Sequence, residues 1–165
     1  MACVATLVAA ASTSSPAAAA PNAVNTTAVN AYSHTCLDND HALLKSYNKV
    51  QGWACNGTPA QSWTFYFVAG TALQPIFEIG PAGSSFCLDD YHSIAQNGNP
   101  VDLYPCNGTT AQLWRGVGTS LVSEVGSGTT YCLDLSNGNA ANGTKVQIFT
   151  CNNTDPQHWQ YLWQP

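Results

Sequence analysis

Six of the seven cysteines stand in three pairs of one spacing, Cys36 with Cys55, Cys87 with Cys106 and Cys132 with Cys151, nineteen residues apart each time. Oxidised, each pair closes a loop of about 20 residues, which restricts the unfolded chain and contributes roughly 3 kcal/mol on the loop-entropy account. The first cysteine of each pair opens the string Cys-Leu-Asp, which places Asp38, Asp89 and Asp134. A carboxylate there can accept charge-assisted hydrogen bonds from two neighbouring hydroxyls. It can equally cap a turn by accepting backbone N–H groups. The second cysteine is followed six residues on by glutamine and two beyond that by tryptophan: Gln61 and Trp63, Gln112 and Trp114, Gln157 and Trp159. An indole can serve as a platform for a sugar. One large apolar residue per repeat at constant spacing is better explained as a spoke of a shared core, with each glutamine satisfying buried backbone groups.

The elements that must position these residues follow from the repetition. Distances inside each unit are constant, while the unit starts are 51 and 45 residues apart, so the insertions fall between units. A unit that cannot bury its apolar face alone must stack on its copies, and three copies predict pseudo-threefold closure. Val50-Gln51-Gly52-Trp53, Val101-Asp102-Leu103-Tyr104 and Val146-Gln147-Ile148-Phe149 alternate with the period of a strand. Asn97-Gly98, Asn137-Gly138 and Asn142-Gly143 stand where hairpins need positive φ. After Ala31 no segment carries a helical stripe. The expected fold is all-β, with disulfides Cys36–Cys55, Cys87–Cys106 and Cys132–Cys151.

Composition limits the partners. Four Lys and Arg against nine Asp and Glu give a net charge of −5, which disfavours nucleic acid and anionic membrane. With 8% charged residues, the surface is largely Asn, Gly, Ser, Thr and Gln, a face suited to neutral polar ligands. The short apolar run Val4 to Ala11 and the small residues Ala18 to Ala20 resemble a secretory leader over 1–20, followed by a linker over 21–30. Eight apolar residues are too few to span a bilayer, so no membrane insertion is expected. Loss of the leader removes Cys3 and leaves an even set of cysteines, as disulfide pairing in a secreted, extracellular protein requires. Sequons at Asn25, Asn56, Asn107, Asn142 and Asn152 permit glycosylation.

Three Gln-x-Trp strings in register with three Cys-Leu-Asp strings resemble the ricin-type (ricin B-like) β-trefoil lectins, over roughly Ala31 to Pro165. The resemblance implies a β-trefoil of six hairpins with up to three shallow carbohydrate sites, one per lobe, named alpha, beta and gamma in chain order. It also implies the site residues: the Asp after the first cysteine, a Gln and an aromatic just before the second, and an Asn immediately before the Gln of Gln-x-Trp. The alpha lobe keeps Asp38, Gln51 and Trp53, and gamma keeps Asp134, Gln147 and Phe149. Beta keeps Asp89 and Tyr104 but has Asp102 in place of the Gln. The Asn is replaced by Ala60, Ala111 and Pro156, which departs from the family pattern and removes a hydrogen bond expected to the sugar in all three lobes, while galactose-type sugars stay the class the resemblance implies. In such a triad the carboxylate binds hydroxyls, the aromatic face packs on the C–H side of a pyranose and the amide fixes orientation. Asp89 and Asp102 in one cleft repel, which raises one pKa or demands a cation between them. The lobes therefore rank alpha, gamma, beta. Asn142 beside the gamma strand reads as a hairpin residue within reach of a ligand.

Catalytic motifs are lacking: there is no Gly-x-Ser-x-Gly elbow, His-Glu-x-x-His string or phosphate-cradling glycine loop. His34, His41, His92 and His158 share no ligand spacing, so no metal or cofactor is expected. Asp38 with Asp40, and Asp89 with Asp90, are chain neighbours and poor pairs for glycoside hydrolysis. The expected protein is a secreted, non-enzymatic lectin that binds glycans through alpha and gamma. The alternatives are a trefoil with decayed sugar sites acting as a protease inhibitor or effector, and an accessory module of a glycoside hydrolase.

Overall fold

The computed structural model describes residues 23–126 and 128–162; the expected leader and Cys3 lie outside the described residues. Among these the chain forms thirteen strands and six single-turn 3-10 segments, with no α-helix. Strand β1 (Ala23–Thr26) runs along β5. The alpha lobe comprises β2 (Val29–Asn30), β3 (Thr35–Asn39), β4 (Asn48–Ala54) and β5 (Trp63–Thr71). The beta lobe comprises β6 (Gln74–Pro81), β7 (Phe86–Asp90), β8 (Asn99–Pro105) and β9 (Leu113–Val117). The gamma lobe comprises β10 (Ser120–Ser123), β11 (Tyr131–Leu135), β12 (Thr144–Thr150) and β13 (Trp159–Gln160). Successive lobes join edge to edge through β5–β6, β9–β10 and β13–β2. At the other end β4, β8 and β12 pair with one another, each over two residues. This is the threefold closure of a β-trefoil.

Residues 23–30, read from the sequence as linker, form β1 and β2. Strand β2 lies between β3 and β13 and so covers backbone groups that would otherwise leave an open edge. Both strands are short and weakly patterned, which hides them from a periodicity search.

The core gathers equivalent residues of the three lobes. Trp63, Trp114 and Trp159 are fully buried, together with Leu37, Leu88 and Leu133. Each indole Nε1 donates to the carbonyl of its lobe's leucine, at 2.9, 3.0 and 3.0 Å. The tryptophans are thus core spokes and are closed to ligand. One position breaks the symmetry: Gly52 stands where the other lobes carry Leu103 and Ile148, and Leu135 of the gamma lobe fills the space. A Cβ on Gly52 would lie 2.6 Å from Leu135 Cδ1. The disulfides pair as the spacing predicts, Cys36–Cys55, Cys87–Cys106 and Cys132–Cys151.

Candidate functional site

Each Cys-Leu-Asp string lies on the first strand of a hairpin, and the register sets Asp38 opposite Gln51, Asp89 opposite Asp102 and Asp134 opposite Gln147. One residue past that strand the chain enters the left-handed region for two residues: His41 and Ala42, His92 and Ser93, Asn137 and Gly138, with φ between 54° and 61°. Such a double reversal is costly for ordinary L-residues, apart from glycine and asparagine. It bends the chain back across the aspartate and forms one wall of a cleft. The Gln of Gln-x-Trp lies fully buried behind the aspartate. Its Oε1 accepts the N–H of Asn56, Asn107 or Asn152, while Nε2 donates to the carbonyl of Ala54, Pro105 or Thr150. The same Nε2 donates to Oδ2 of the aspartate, at 3.0 Å in alpha, 2.8 Å in beta and 3.3 Å in gamma. The glutamine therefore does more than satisfy backbone: it fixes the carboxylate.

The alpha cleft, about 340 Å³, brings together Asp38, Gln51 and half-buried Trp53. Gln51 Nε2 donates to Asp38 Oδ1 and to Asp40 Oδ1, both at 3.1 Å. Asp40, whose other partner is His41 Nδ1 at 2.9 Å, adds a second carboxylate to the cleft. The sequence reading set Asp40 aside as a catalytic partner and missed it as a site residue. Asp40 is the first residue past β3, in the turn that follows it, where strand alternation no longer fixes which way a side chain faces. Ala60 lies on the cleft wall where the family pattern has Asn.

In gamma, Gln147 Nε2 donates to Asp134 Oδ1 at 2.9 Å, and Phe149 is half-buried on the same strand. Burial raises the Asp134 pKa against the lowering effect of Gln147, Gln157 and Lys145. Tyr32 and Pro156 crowd the turn that follows this strand: a Cβ on Gly138 would lie 3.2 Å from Pro156 Cγ and 3.7 Å from Tyr32 Cδ1. Asn142 is committed elsewhere, its Oδ1 accepting the N–H of Ala54 in the alpha lobe at 2.7 Å. Asn97 does the same toward Thr150, at 2.6 Å.

In beta, Asp89 and Tyr104 line a cleft of about 220 Å³. With Asp102 in place of a glutamine, the second amide bond to the aspartate is missing. Asp102 Oδ1 is buried without a hydrogen-bond partner, and its pKa is pushed up to about 7 by burial, then by the charges of Asp89 and Asp90. Asp90 is likewise pushed up to about 7, by burial and by Asp89, against the lowering effect of its Asn99 bond. Tyr47, which the sequence reading did not single out, also lines this cleft. All five sequon asparagines are exposed, and each accepts a hydrogen bond within the fold. In the three Asn-x-Thr turns after the second cysteines the acceptor serves the Thr backbone and hydroxyl.

Fold and site together define a β-trefoil in which each lobe holds one buried aspartate on the glutamine of its Gln-x-Trp string. The family described as ricin-type beta-trefoil lectin domain matches residues 75–164, and its ricin-type beta-trefoil lectin domain-like companion matches residues 20–104. The chain belongs to the ricin-type β-trefoil lectin family. No curated protein sequence matches it. Among solved structures it is similar to the Rhizoctonia solani agglutinin, with 23% identity, TM-score 0.71, and 90% of this chain and 100% of that one covered. An exo-beta-1,3-galactanase from Clostridium thermocellum is similar at 21% identity and TM-score 0.74, over 87% of this chain and 31% of that one. The earthworm R-type lectin C-half in complex with GalNAc is similar at 13% identity and TM-score 0.64, over 83% and 96%. At these identities the likeness concerns the fold.

Proposed function

We propose that the protein is an exported, non-enzymatic lectin whose principal carbohydrate site is the alpha cleft, with gamma as a second, more crowded site. The observation that carries this reading is the immobilised Asp38. Two glutamine amides hold its carboxylate, beside a second carboxylate at Asp40 and an accessible indole face at Trp53. Carboxylate oxygens held in place accept vicinal hydroxyls without a reorganisation cost, and the indole covers the apolar side of the ring. Asp40 offers acceptors that Ala60 cannot, so the alpha cleft suits a sugar with hydroxyls on two edges. Galactose-type sugars are the first class to test, since the similar earthworm lectin half is complexed with GalNAc. Three disulfides and the family support an extracellular location.

A glycan array on the oxidised protein, followed by calorimetric titration of the best ligand, tests the reading. Trp53→Ala is expected to weaken alpha binding at least tenfold, equivalent to about 1.4 kcal/mol, with the melting temperature nearly unchanged because the residue is half-exposed. Full affinity retained in Trp53→Ala would remove alpha as the principal site.

A further inference from the structure

The three lobes share one backbone, so their differences at equivalent positions show where one lobe has been given a different ligand chemistry. Three neighbouring positions differ together in beta. Alpha has Gln51 with Lys49 two residues before it, and gamma has Gln147 with Lys145; beta has Asp102 with Pro100. The third position comes from the preceding lobe's hairpin loop. It is Gly143 beside Gln51 and Gly98 beside Gln147, but Tyr47 at the beta cleft. These are equivalent because Gly143, Gly98 and Tyr47 each donate their backbone N–H to the next lobe's strand, at Gly52, Ile148 and Leu103.

In alpha and gamma this arrangement includes an ammonium of the protein's own. Lys49 Nζ donates to the Gly143 carbonyl at 2.7 Å, and Lys145 Nζ to the Gly98 carbonyl at 3.0 Å. A Cβ on either glycine would lie 3.7–4.0 Å from both the lysine Nζ and the glutamine Oε1, so ammonium and amide sit side by side. Beta lacks the lysine, turns the amide into a carboxylate and adds an aromatic ring. Tyr47 holds φ at 62°, a backbone conformation that glycine takes in the other two lobes. Its ring lies 5.4 Å from Tyr104 and 5.7 Å, nearly parallel, from His92.

The result is a small open cleft with aromatic walls; Asp89 lines it, and Asp102 lies across the strand pair from Asp89, at the position from which Gln51 lines the alpha cleft. Among the described residues Asp89 accepts only the Gln112 amide, and Asp102, 6% exposed, has Oδ1 unpartnered. A metal ion is the simplest cation to imagine there. Among the described residues, however, no three His, Cys, Asp or Glu side chains are disposed to hold one. An organic cation satisfies the whole cleft: its ammonium takes the place that lysine takes in the other lobes, and its body packs on the tyrosine faces.

We propose that the beta cleft binds a protonated amino sugar, a pyranose with a free primary ammonium, held by the Asp89 and Asp102 carboxylates against Tyr47 and Tyr104. The pyranose rests on the reading of the lobes as saccharide clefts; the ammonium rests on residues of beta alone. Asp89, Asp90, Asp102, His92 and the hydroxyls of Tyr47, Tyr91 and Tyr104 are the titratable groups around the site. Affinity for the amine, while it stays protonated, rises as Asp90 and Asp102, pushed up to about 7, ionise.

The test is a heteronuclear NMR titration of the full oxidised chain at pH 7 with the chitosan trimer, its fully N-acetylated counterpart and Nα-acetyl-lysine methylamide. The chitosan trimer is expected to shift Tyr47, His92 and Asn107 and to bind there about tenfold tighter than the acetylated trimer, as charge-assisted hydrogen bonding predicts. Asp102→Gln, which copies alpha and gamma, is expected to remove that preference. Tyr47→Gly, which copies the other two loops, is expected to weaken the amine while retaining a native spectrum. Equal binding of the two trimers in beta, no beta shifts with the amine, or an unchanged preference in Asp102→Gln would overturn the proposal. Lysine methylamide binding as tightly as the chitosan trimer would overturn its saccharide part. Loss of neutral-sugar binding in Trp53→Ala with the beta shifts intact separates this site from alpha. An array with no neutral ligand, alongside a positive chitosan titration, would sink the alpha reading and leave this one standing.

Discussion

The aspartate after each first cysteine shows how one side chain acquires different properties in three nearly identical settings. Asp38 and Asp134 each accept two glutamine amides, and Asp89 accepts one. The absent amide is Asp102, and its buried carboxyl titrates near neutrality. The direction of the stability effect follows from linkage. The folded state keeps a proton on Asp102 that the unfolded chain gives up near its ordinary pKa of 3.8. Stability is therefore complete below about pH 4 and is lost as pH rises towards 7. Asp90, also at about 7, acts in the same direction. The expected outcome is a lower melting point at pH 8 than at pH 5, with Asp102→Asn raising the pH 8 value and flattening the difference. Parallel profiles for the variant and the parent would contradict this account.

At the scale of elements, the seams between lobes carry more specificity than the sequence pattern suggests. The Asn-Gly pairs at Asn97-Gly98 and Asn142-Gly143 read as tight two-residue hairpins. Only their glycines take positive φ, and the asparagine side chains instead clasp the next lobe at Thr150 and Ala54. The alpha-to-beta seam has Ser46 and Pro105 at the equivalent positions, and proline has no N–H to clasp. That seam holds through the Tyr47 N–H to the Leu103 carbonyl, at 2.7 Å. Gly52 and Leu135 are a second seam device, a missing side chain in one lobe filled by a neighbour's. Leu135 is fully buried, so any shift of its side chain must displace packed neighbours. Gly52→Ala is therefore expected to cost about 1–3 kcal/mol through overpacking, read as a lower denaturant midpoint with an unchanged slope. A neutral result would mean that Leu135 has room to move.

For the whole molecule, three lobes that share one core and are closed by pairing of β5–β6, β9–β10 and β13–β2 make stability depend on all three at once. Each disulfide ties only its own hairpin. Replacing Cys87 and Cys106 together by Ala is expected to cost about 3 kcal/mol on the loop-entropy account and to lower the single melting transition of the entire chain. Two separate transitions in calorimetry would show that the lobes melt independently. Clefts on separate lobes also allow one multivalent glycan to engage more than one site, which raises avidity without any new contact.

The repeated spacing of Cys, Asp, Gln and Trp determined the all-β threefold fold, the disulfide pairing and the burial of the tryptophans, because a motif repeated at fixed distances has to obey the geometry of a shared axis. The resemblance to the ricin-type lectins, carried by the same strings, implied Asp38, Gln51 and Trp53 as neighbours, and their partnership lies within one hairpin register. Only the tertiary structure decided what crosses from lobe to lobe: β2 as a strand at the closing seam, Leu135 filling the space at Gly52, Asn142 turned to Ala54, and Tyr47 laid against a cleft of the next repeat. These contacts join residues far apart in the chain, and no local periodicity records them. Their partners are chosen by how the three copies rotate against one another, a relation that comes into being only when the barrel closes.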